Sequence, residues 1–207
     1  MRLTKNPISS DAPGPLVDPH LQPSYSIGNR ARRAVWNLCY VLLFRPSPRP
    51  LHGWRSRLLR LFGARLGPGC HIYPKCRIWA PWNLDCEEAA CIADDAEIYN
   101  PSLFKMGSHA IVSQGAYVCG ATHRYNEPSF QLVSFPMEMG AYSWVFARAV
   151  VSPGVQIGEG AVLGLASVAT RNLEPFGVYA GVPARKLKER DRSSVPALMN
   201  RPSADSV

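Results

Sequence analysis

Residues 145–169 read VFARAVVSPGVQIGEGAVLGLASVA and place an aliphatic residue or alanine at every sixth position. These positions are Val145, Val151, Ile157, Leu163 and Ala169. Four residues after each of the first four comes another small or apolar residue: Ala149, Val155, Ala161 and Ser167. Neither a helix nor an alternating strand preserves this spacing. Short strands stacked as the coils of a β-helix do preserve it, because each inward residue then rests on the one from the previous coil.

The same spacing extends upstream over most of the chain. Its positions there are Leu66, Ile72, Ile78, Leu84, Ile92, Ile98, Met106, Val112 and Val118. The spacing widens to eight residues after Leu84 and after Ile98, and residues 119–144 interrupt it altogether. We therefore predict an all-β fold, a parallel β-helix over residues 64–190 with one protruding loop over residues 123–143. The period alone does not give the handedness of the coils.

The basic charge of the chain lies in front of the repeats. Residues 1–65 contain 11 Lys and Arg against 2 Asp, a net charge of +9, whereas residues 66–207 contain 12 basic against 13 acidic residues, a net charge of −1. Within the basic part, residues 26–63 predict two short amphipathic helices separated by RPSPRP at residues 45–50. The apolar run 34–44 is too short to cross a bilayer, which needs about 20 residues.

Two compatible roles for this helical extension stay open. Basic amphipathic helices dock on anionic membrane surfaces, and helices also cover the open first coil of a solenoid. The basic run contains no recognisable nucleic-acid-binding motif and the repeats are slightly acidic, so we expect no nucleic-acid partner.

The flanking segments and the cysteines favour a cytoplasmic protein. Residues 1–25 are rich in Pro, Ser and Asp and contain no apolar core of signal-peptide length, which predicts a disordered leader. Residues 191–207 are expected to form a C-terminal tail. The six cysteines include no CxxC pair, and several occupy small-residue slots of the repeat, so we expect buried, reduced thiols. Docking of the helices would add peripheral contact with the inner face of the cytoplasmic membrane.

Several runs of the chain carry a family resemblance. They are LFRPSPRPLHGWRSRLLRLFGARLG (43–67), IYNPSLFKMG (98–107), IVSQGAYVCGATHRYNEPSFQLV (111–133) and VVSPGVQIGEGAVLGLASVATRNLEPFGVYAGVPARKLKER (150–190). Together, over about residues 26–190, they resemble the hexapeptide-repeat acyltransferases, and within them the O-acetyltransferases of colanic acid and other extracellular polysaccharides. The resemblance implies a left-handed β-helix of triangular section, a homotrimer, acetyl-CoA as donor, and a sugar or lipid-linked saccharide as acceptor.

The resemblance also implies that a histidine at the start of the protruding loop is the general base, and His123 occupies that position. Attack of a sugar hydroxyl on a thioester requires loss of the hydroxyl proton as the new bond forms, and imidazole can accept a proton near neutral pH. A purely structural histidine is the competing interpretation. The repeat, the loop and the C-terminal motif together favour catalysis.

Candidate acceptor contacts lie at and beside the loop. Asn100 resembles the acceptor-side asparagine of the family, and its amide could both donate to and accept from a sugar hydroxyl. A role in turning the corner of the coil is equally compatible with the sequence. Tyr125 could stack on or hydrogen-bond a sugar. Cys119 could carry an acyl group with His123 as its base, but we prefer direct transfer because Cys119 falls at a structural position of its hexad.

The donor site is expected on the last coils. An elongated, phosphate-bearing ligand can lie along small residues while basic groups meet its phosphates. The resemblance and this order of residues assign the donor site to Trp144, Ala147, Gly164, Thr170, Arg171, Arg185 and Lys186. Trp144 would contact the pantetheine arm, and Arg171, Arg185 and Lys186 would contact the phosphates. The glycines also have a plain structural explanation, since tight corners require them.

Three classes of function compete at this point. We predict an O-acetyltransferase that moves an acetyl group from acetyl-CoA to a sugar hydroxyl in exopolysaccharide biosynthesis. The alternative is a non-catalytic β-helix scaffold in a membrane-associated polysaccharide assembly complex. A zinc enzyme would need closely spaced histidines, and the sequence offers none, so we expect no metal.

Overall fold

The computed structural model of the chain describes residues 23–194, so most of the predicted leader 1–25 and of the predicted tail 191–207 lies outside the described residues. From residue 65 onward, short strands stack in parallel on three faces. Face 1 contains β1 (Arg65–Leu66), β4 (Leu84–Cys86), β7 (Phe104–Met106) and β12 (Met137–Met139). Face 2 contains β2 (His71–Ile72), β5 (Cys91–Ile92), β8 (Ile111–Val112), β13 (Trp144–Val145), β15 (Val162–Leu163) and β17 (Gly177–Gly181). Face 3 contains β3 (Arg77–Ile78), β6 (Glu97–Tyr99), β9 (Tyr117–Cys119), β14 (Val150–Val151) and β16 (Val168–Ala169).

Three further strands, two α-helices and three short helical turns complete the described part. An antiparallel hairpin is formed by β10 (Ala121–His123) and β11 (Leu132–Ser134), and β18 (Ala184–Glu189) pairs antiparallel with β17. Two α-helices precede the strands, α1 (Ile27–Cys39) and α2 (His52–Leu61), and α1 continues through a π-helical turn, Tyr40–Phe44. Short 3-10 turns occur at Pro81–Asn83 and Arg192–Ser194.

The inward residues of successive coils lie in register and form one continuous core. On face 2, Ile72 pairs with Ile92, Ile92 with Val112, Val112 with Val145, and Val145 with Leu163. All five are completely buried. This is the stacking that the six-residue spacing predicts, since the apolar area of each coil leaves water only against its neighbours.

One predicted repeat position is wrong. Strand β4 pairs Leu84 with Phe104 and Cys86 with Met106, so Cys86, and not Leu84, continues the inward column from Leu66. The two extra residues therefore belong to the corner before β4, where Pro81–Asn83 forms a 3-10 turn. Both eight-residue spacings consequently fall at the same corner, in consecutive coils.

The corners of the β-helix are unequal. Those between face 2 and face 3 contain four residues in every coil: 73–76, 93–96, 113–116, 146–149 and 164–167. We call this the smooth edge. Those between face 3 and face 1 vary from three to seventeen residues: 79–83, 100–103, 120–136, 152–156 and 170–172. We call this the insertion edge.

The third edge brings successive coils into backbone contact. A Cβ added to Gly107 would lie 2.5 Å from the nitrogen of Ala141, and one added to Gly140 would lie 2.5 Å from the nitrogen of Glu159. No side chain fits at that distance, so these positions require glycine because of the close approach of the coils.

The hairpin on the insertion edge is shorter than the loop predicted over residues 123–143. Residues 137–139 return to face 1 as β12, which pairs with β7, and residues 140–143 form the next corner. The reason is apolar burial: Met137 and Met139 are both buried in the core.

The N-terminal helices cover the first coil. Trp36 and Phe44 are buried in the same core as Ile72 and Ile78, and the Trp36 Nε1–H donates to the carbonyl of Ile78 at 2.8 Å. Arg55 of α2 is completely buried, and its guanidinium donates to the carbonyl oxygen of Ile72 at 2.6 Å. The capping role that the sequence left open is therefore present in the structure. Within residues 23–194, every helix is too short or too polar to span a bilayer.

Candidate functional site

His123 stands at the base of the hairpin on the insertion edge. It is the last residue of β10, lies opposite Leu132 of β11, and is exposed. Its Nδ1 lies 2.5 Å from the carbonyl oxygen of Phe130. A carbonyl only accepts hydrogen bonds, so Nδ1 carries the proton. The neutral ring therefore keeps its lone pair on Nε2, which is the nitrogen that can accept a proton from a ligand.

The hairpin is held in place by its own contacts. Ser102, on the preceding coil, donates from Oγ to Oγ of Ser134 at 2.8 Å. Arg124 forms an ion pair with Glu127 at 2.9 Å, so this carboxylate does not orient the imidazole. The carbonyl of Phe130 does so instead, from a residue with a positive φ of 45°. The sequence shows Phe130 as an aromatic residue of the loop but gives no signal for the role of its backbone.

Tyr125 lies at the tip of this hairpin, and its side chain is 73% exposed. Exposure of a large aromatic ring beside His123 is what stacking on a sugar requires. Its assignment as an acceptor contact therefore stays a prediction that the geometry permits.

Asn100 occupies the insertion edge one coil before the hairpin, but it is buried, with 2% of its surface exposed. Its Oδ1 accepts from the backbone N–H of Ala80 at 3.0 Å, and its Nδ2 donates to the carbonyl of the same residue at 2.9 Å. Both ends of the amide are thus used within the protein. These contacts favour the corner-turning role over contact with an acceptor.

Cys119 makes a structural contact as well. Its Sγ donates to the carbonyl of Ala121 at 3.2 Å, and not to His123. All six cysteines are free thiols, and burial raises the pKa of the Cys76 and Cys86 thiols. Cys70, Cys76 and Cys86 are buried, whereas Cys39, Cys91 and Cys119 are only partly buried.

Two of the predicted donor residues lie on the smooth edge in consecutive coils. Ala147 follows β13 and Gly164 follows β15, and both are partly exposed corner residues. The pairing of Val145 with Leu163 and of Leu163 with Tyr179 aligns Phe146, Gly164 and Ala180 in one column, and Ala147 lies one residue beyond Phe146. Ala180 pairs with Arg185 of β18, and a Cβ on Gly164 would lie 3.2 Å from the Cβ of Ala180. Along this edge, the small residues of the last two coils are therefore followed by a basic residue, in the order that an elongated anionic ligand requires.

Trp144 lies on the outer side of face 2, next to this column. Its ring is half-exposed and contacts the ring of Phe146 at 4.2 Å between centroids. Its Nε1–H donates to Oγ of Ser113 at 2.8 Å, which fixes the plane of the indole. Ser113 is a residue of the site that the sequence did not identify, since a serine at a corner carries no distinctive signal.

The two basic donor candidates of β18, Arg185 and Lys186, differ in whether their charged groups already have acidic partners. Arg185 is exposed, and within residues 23–194 its guanidinium donates only to the carbonyl of Ala184. Lys186 is held by Glu174 and Glu189, each at 2.6 Å from Nζ, and the hydrogen bond that Nζ donates to Glu174 is the main cause of the raised pKa of Lys186. Arg185 is therefore the better candidate for binding phosphate.

Thr170 and Arg171 lie elsewhere than the other donor candidates. They follow β16 and belong to the insertion edge, on the same side as the hairpin of His123. Face 3 separates them from Ala147 and Gly164. Within one chain, the structure therefore does not bring the predicted base and the predicted donor column into a single site.

No group of three or more His, Cys, Asp and Glu side chains within residues 23–194 has a geometry that could hold a metal ion.

The sequence of the chain is similar to that of a known acetyltransferase. The chain is 34% identical over 163 residues to WcaF of Escherichia coli (strain K12), a protein assigned to colanic acid biosynthesis as an acetyltransferase, and the match covers 79% of this chain and 90% of that protein. No model of a known protein family matches the chain.

Solved structures show the same fold. A galactoside acetyltransferase in complex with coenzyme A superposes with a TM-score of 0.74 at 21% identity, covering 82% of this chain and 86% of that one. A hexapeptide-repeat acetyltransferase from Vibrio cholerae, complexed with acetyl coenzyme A, gives a TM-score of 0.70 at 19% identity, covering 80% and 91%. The prediction of an all-β, left-handed parallel β-helix with an N-terminal helical extension is confirmed.

Proposed function

Because this chain belongs to the hexapeptide-repeat acetyltransferases related to those of colanic acid biosynthesis, we propose that it moves an acetyl group from acetyl-CoA to a sugar hydroxyl during extracellular polysaccharide synthesis. The chain is an acetyltransferase; the donor, the acceptor and the base are the proposal. The observation that carries the base is the bond from His123 Nδ1 to the carbonyl of Phe130, which leaves Nε2 free at an exposed position.

The chemistry that His123 performs follows from this tautomer. Nε2 takes the proton of the sugar hydroxyl while that oxygen bonds to the acetyl carbon, and returns it to the sulfur as the carbon–sulfur bond breaks. Proton and electron pairs balance without a further reagent. A positioned base of this kind contributes about 10²- to 10⁴-fold to the rate.

The smooth edge supports the choice of donor. Acetyl-CoA is long and carries phosphates at one end, and the small residues Gly164 and Ala180 leave room in the last two coils for such an arm, with Ala147 beside them in the coil before. Arg185 stands at the end of this column with a guanidinium suited to bidentate contact with phosphate. Trp144 would cover the arm from face 2.

Assembly follows from the separation of the two edges. Face 3 lies between the hairpin and the donor column of one chain, so a complete site needs the insertion edge of one chain beside the smooth edge of another. A closed threefold arrangement supplies three such sites with one type of contact. In the proposed homotrimer, Thr170 and Arg171 would border the donor bound along the neighbour's smooth edge.

The decisive experiment is transfer of labelled acetyl from acetyl-CoA to a panel of free, nucleotide-linked and lipid-linked saccharides, with mass mapping of the product. We expect O-acetylation of at least one saccharide, and the panel identifies its class. Calorimetry without any heat of acetyl-CoA binding would instead favour the non-catalytic scaffold.

Light scattering on the full chain tests the shared site, with a trimer expected. A monomer that transfers acetyl at full rate would contradict the shared site while leaving the proposed reaction intact.

A further inference from the structure

The side of the first helix that faces away from the β-helix is apolar. Residues 27–44 are helical throughout, a length of about 27 Å. Trp36 and Phe44 mark the side buried against the first coil. On the opposite side, five exposed residues repeat at intervals of three or four: Ile27, Ala31, Val35, Leu38 and Leu42. We call them the outer stripe.

The outer stripe is exposed on a helix that is firmly attached. Val35, Leu38 and Leu42 are 59%, 61% and 61% exposed, while Trp36 between them is 1% exposed and bonded to Ile78. Apolar residues along the exposed side of a helix whose other side is packed against the protein are unusual at a surface that contacts water. Such a row of residues marks an interaction site.

The second helix adds apolar surface beside it. Trp54 donates from Nε1 to the carbonyl of Leu43 at 3.0 Å, which places its half-exposed ring at the end of the outer stripe. Leu61, about two turns further along α2, is 80% exposed.

The charged residues of the helical extension itself have one sign. Residues 23–65 contain nine arginines and no Asp or Glu. Six of the arginines have partners in the structure: Arg32 and Arg33 over Trp82 and Trp79, Arg49 and Arg65 on Asp94 and Asp85, Arg55 in the core, and Arg60 on backbone carbonyls.

Three exposed arginines remain: Arg30, Arg45 and Arg57. Their side chains make no hydrogen bond or ion pair with any residue of the described range 23–194. Arg30 lies at the first turn of the outer stripe and Arg45 follows its last turn. They are thus placed at both ends of the apolar surface.

We propose that the outer stripe docks the protein on an anionic lipid bilayer, with the helix lying in the plane of the interface and Arg30, Arg45 and Arg57 on lipid phosphates. Apolar and anionic groups lie within a few ångströms of each other at the headgroup boundary of such a bilayer, which matches a narrow apolar stripe with arginines at its ends. In the cell, this surface would lie at the inner face of the cytoplasmic membrane. The proposal is independent of the acetyl-transfer reaction.

The apolar part is tested by flotation of the full chain with vesicles of phosphatidylcholine containing phosphatidylglycerol. The double substitution Leu38→Ser and Leu42→Ser should weaken binding by at least about a hundredfold, because each leucine loses its transfer into the lipid. Both side chains point to solvent, so the thermal unfolding of the variant should match that of the parent. Leu187→Ser, at a leucine of β18 that is 66% exposed, is the matched control and should bind as the parent does.

The charged part is tested on the same vesicles. Each of Arg30→Gln, Arg45→Gln and Arg57→Gln should weaken binding by about fivefold, and binding of the parent should fall steeply with added salt. Lys105→Gln, on face 1, is the control and should have no effect. Vesicles of phosphatidylcholine alone should bind weakly.

Three results would overturn the proposal. The first is a full chain that does not bind the anionic vesicles while it still transfers acetyl groups. The second is a serine double variant that binds the vesicles as tightly as the parent does. The third is a parent that does not bind vesicles together with a serine double variant that dissociates in light scattering, which would make the outer stripe a contact between copies of the chain.

Discussion

The insertion edge and the smooth edge of this β-helix are built from the same repeat but do different things. The smooth edge has four residues in each of five coils, and its third position takes a positive φ in four of them, at Asp95, Gly115, Arg148 and Ala166. The insertion edge changes length from coil to coil and supports the hairpin with His123. Regular stacking thus provides a long straight surface, whereas a break in stacking allows a side chain to leave the body.

The largest expected effect concerns the insertion edge. His123→Ala or His123→Asn should lower kcat by about 10²-fold or more, because the base is lost, while the affinity for acetyl-CoA changes little. His109→Ala, at an exposed histidine on the third edge, is the matched control and should keep the parent rate. Near-normal turnover of His123→Ala would make this histidine structural.

The second effect concerns stability at the same edge. Asn100→Ala leaves the buried N–H of Ala80 without a partner and removes one of the two hydrogen bonds to its carbonyl, which still accepts from the N–H of Asn83, so the free energy of unfolding should fall by about 2 kcal/mol. Gln114→Ala, at an exposed position of the smooth edge, should change it by less than about 0.5 kcal/mol. Urea unfolding of both variants measures the difference. Equal losses of unfolding free energy in the two variants would show that the corner side chains of the two edges contribute equally to stability.

The third effect concerns the end of the smooth edge. Arg185→Gln should raise KM for acetyl-CoA by about tenfold through loss of a charge-assisted hydrogen bond. Lys186→Gln should raise it by less than about threefold, because that ammonium is already bonded to Glu174 and Glu189. Steady-state kinetics of the two variants, side by side, test this. A larger effect at Lys186 would reverse the assignment.

The smallest effect concerns the capped beginning of the smooth edge. His52 of α2 lies against the carbonyl of Ile72 at 2.9 Å, and burial, followed by the charges of Arg55, His71 and Arg49, lowers its pKa from the ordinary 6.5. His52 therefore binds a proton more readily in the unfolded chain than in the folded one. The contribution of neutral His52 to the free energy of unfolding is fully present above about pH 6.5 and is lost as the pH falls below that value.

Between pH 7.5 and pH 5, the melting temperature should fall by about 1–3 °C more in the parent than in His52→Gln. Differential scanning calorimetry at both pH values checks this. An identical fall in the two proteins would show that His52 is not the group that responds.

Much of the fold follows from the sequence, since an inward residue at every sixth position needs only local spacing to be recognised. The start of the hairpin also follows from the sequence, because the six-residue spacing stops after Val118. The end of the hairpin does not follow from it. Met137 and Met139 pair with strand β7, more than thirty residues earlier, and that pairing is invisible to the period.

The sequence by itself determined the stacked coils, the basic N-terminal extension and the position of His123, because each depends on the order of residues along a short stretch. Only the tertiary structure decided which edge each candidate occupies. Gly164 and Arg171 are seven residues apart, yet face 3 lies between them. Asn100 and Lys186 carry the groups that a ligand would need, but Ala80, Glu174 and Glu189 already bind those groups. Ala80 and Glu174 lie 20 and 12 residues along the chain from the groups that they bind, and contacts over such separations form only when the chain has folded.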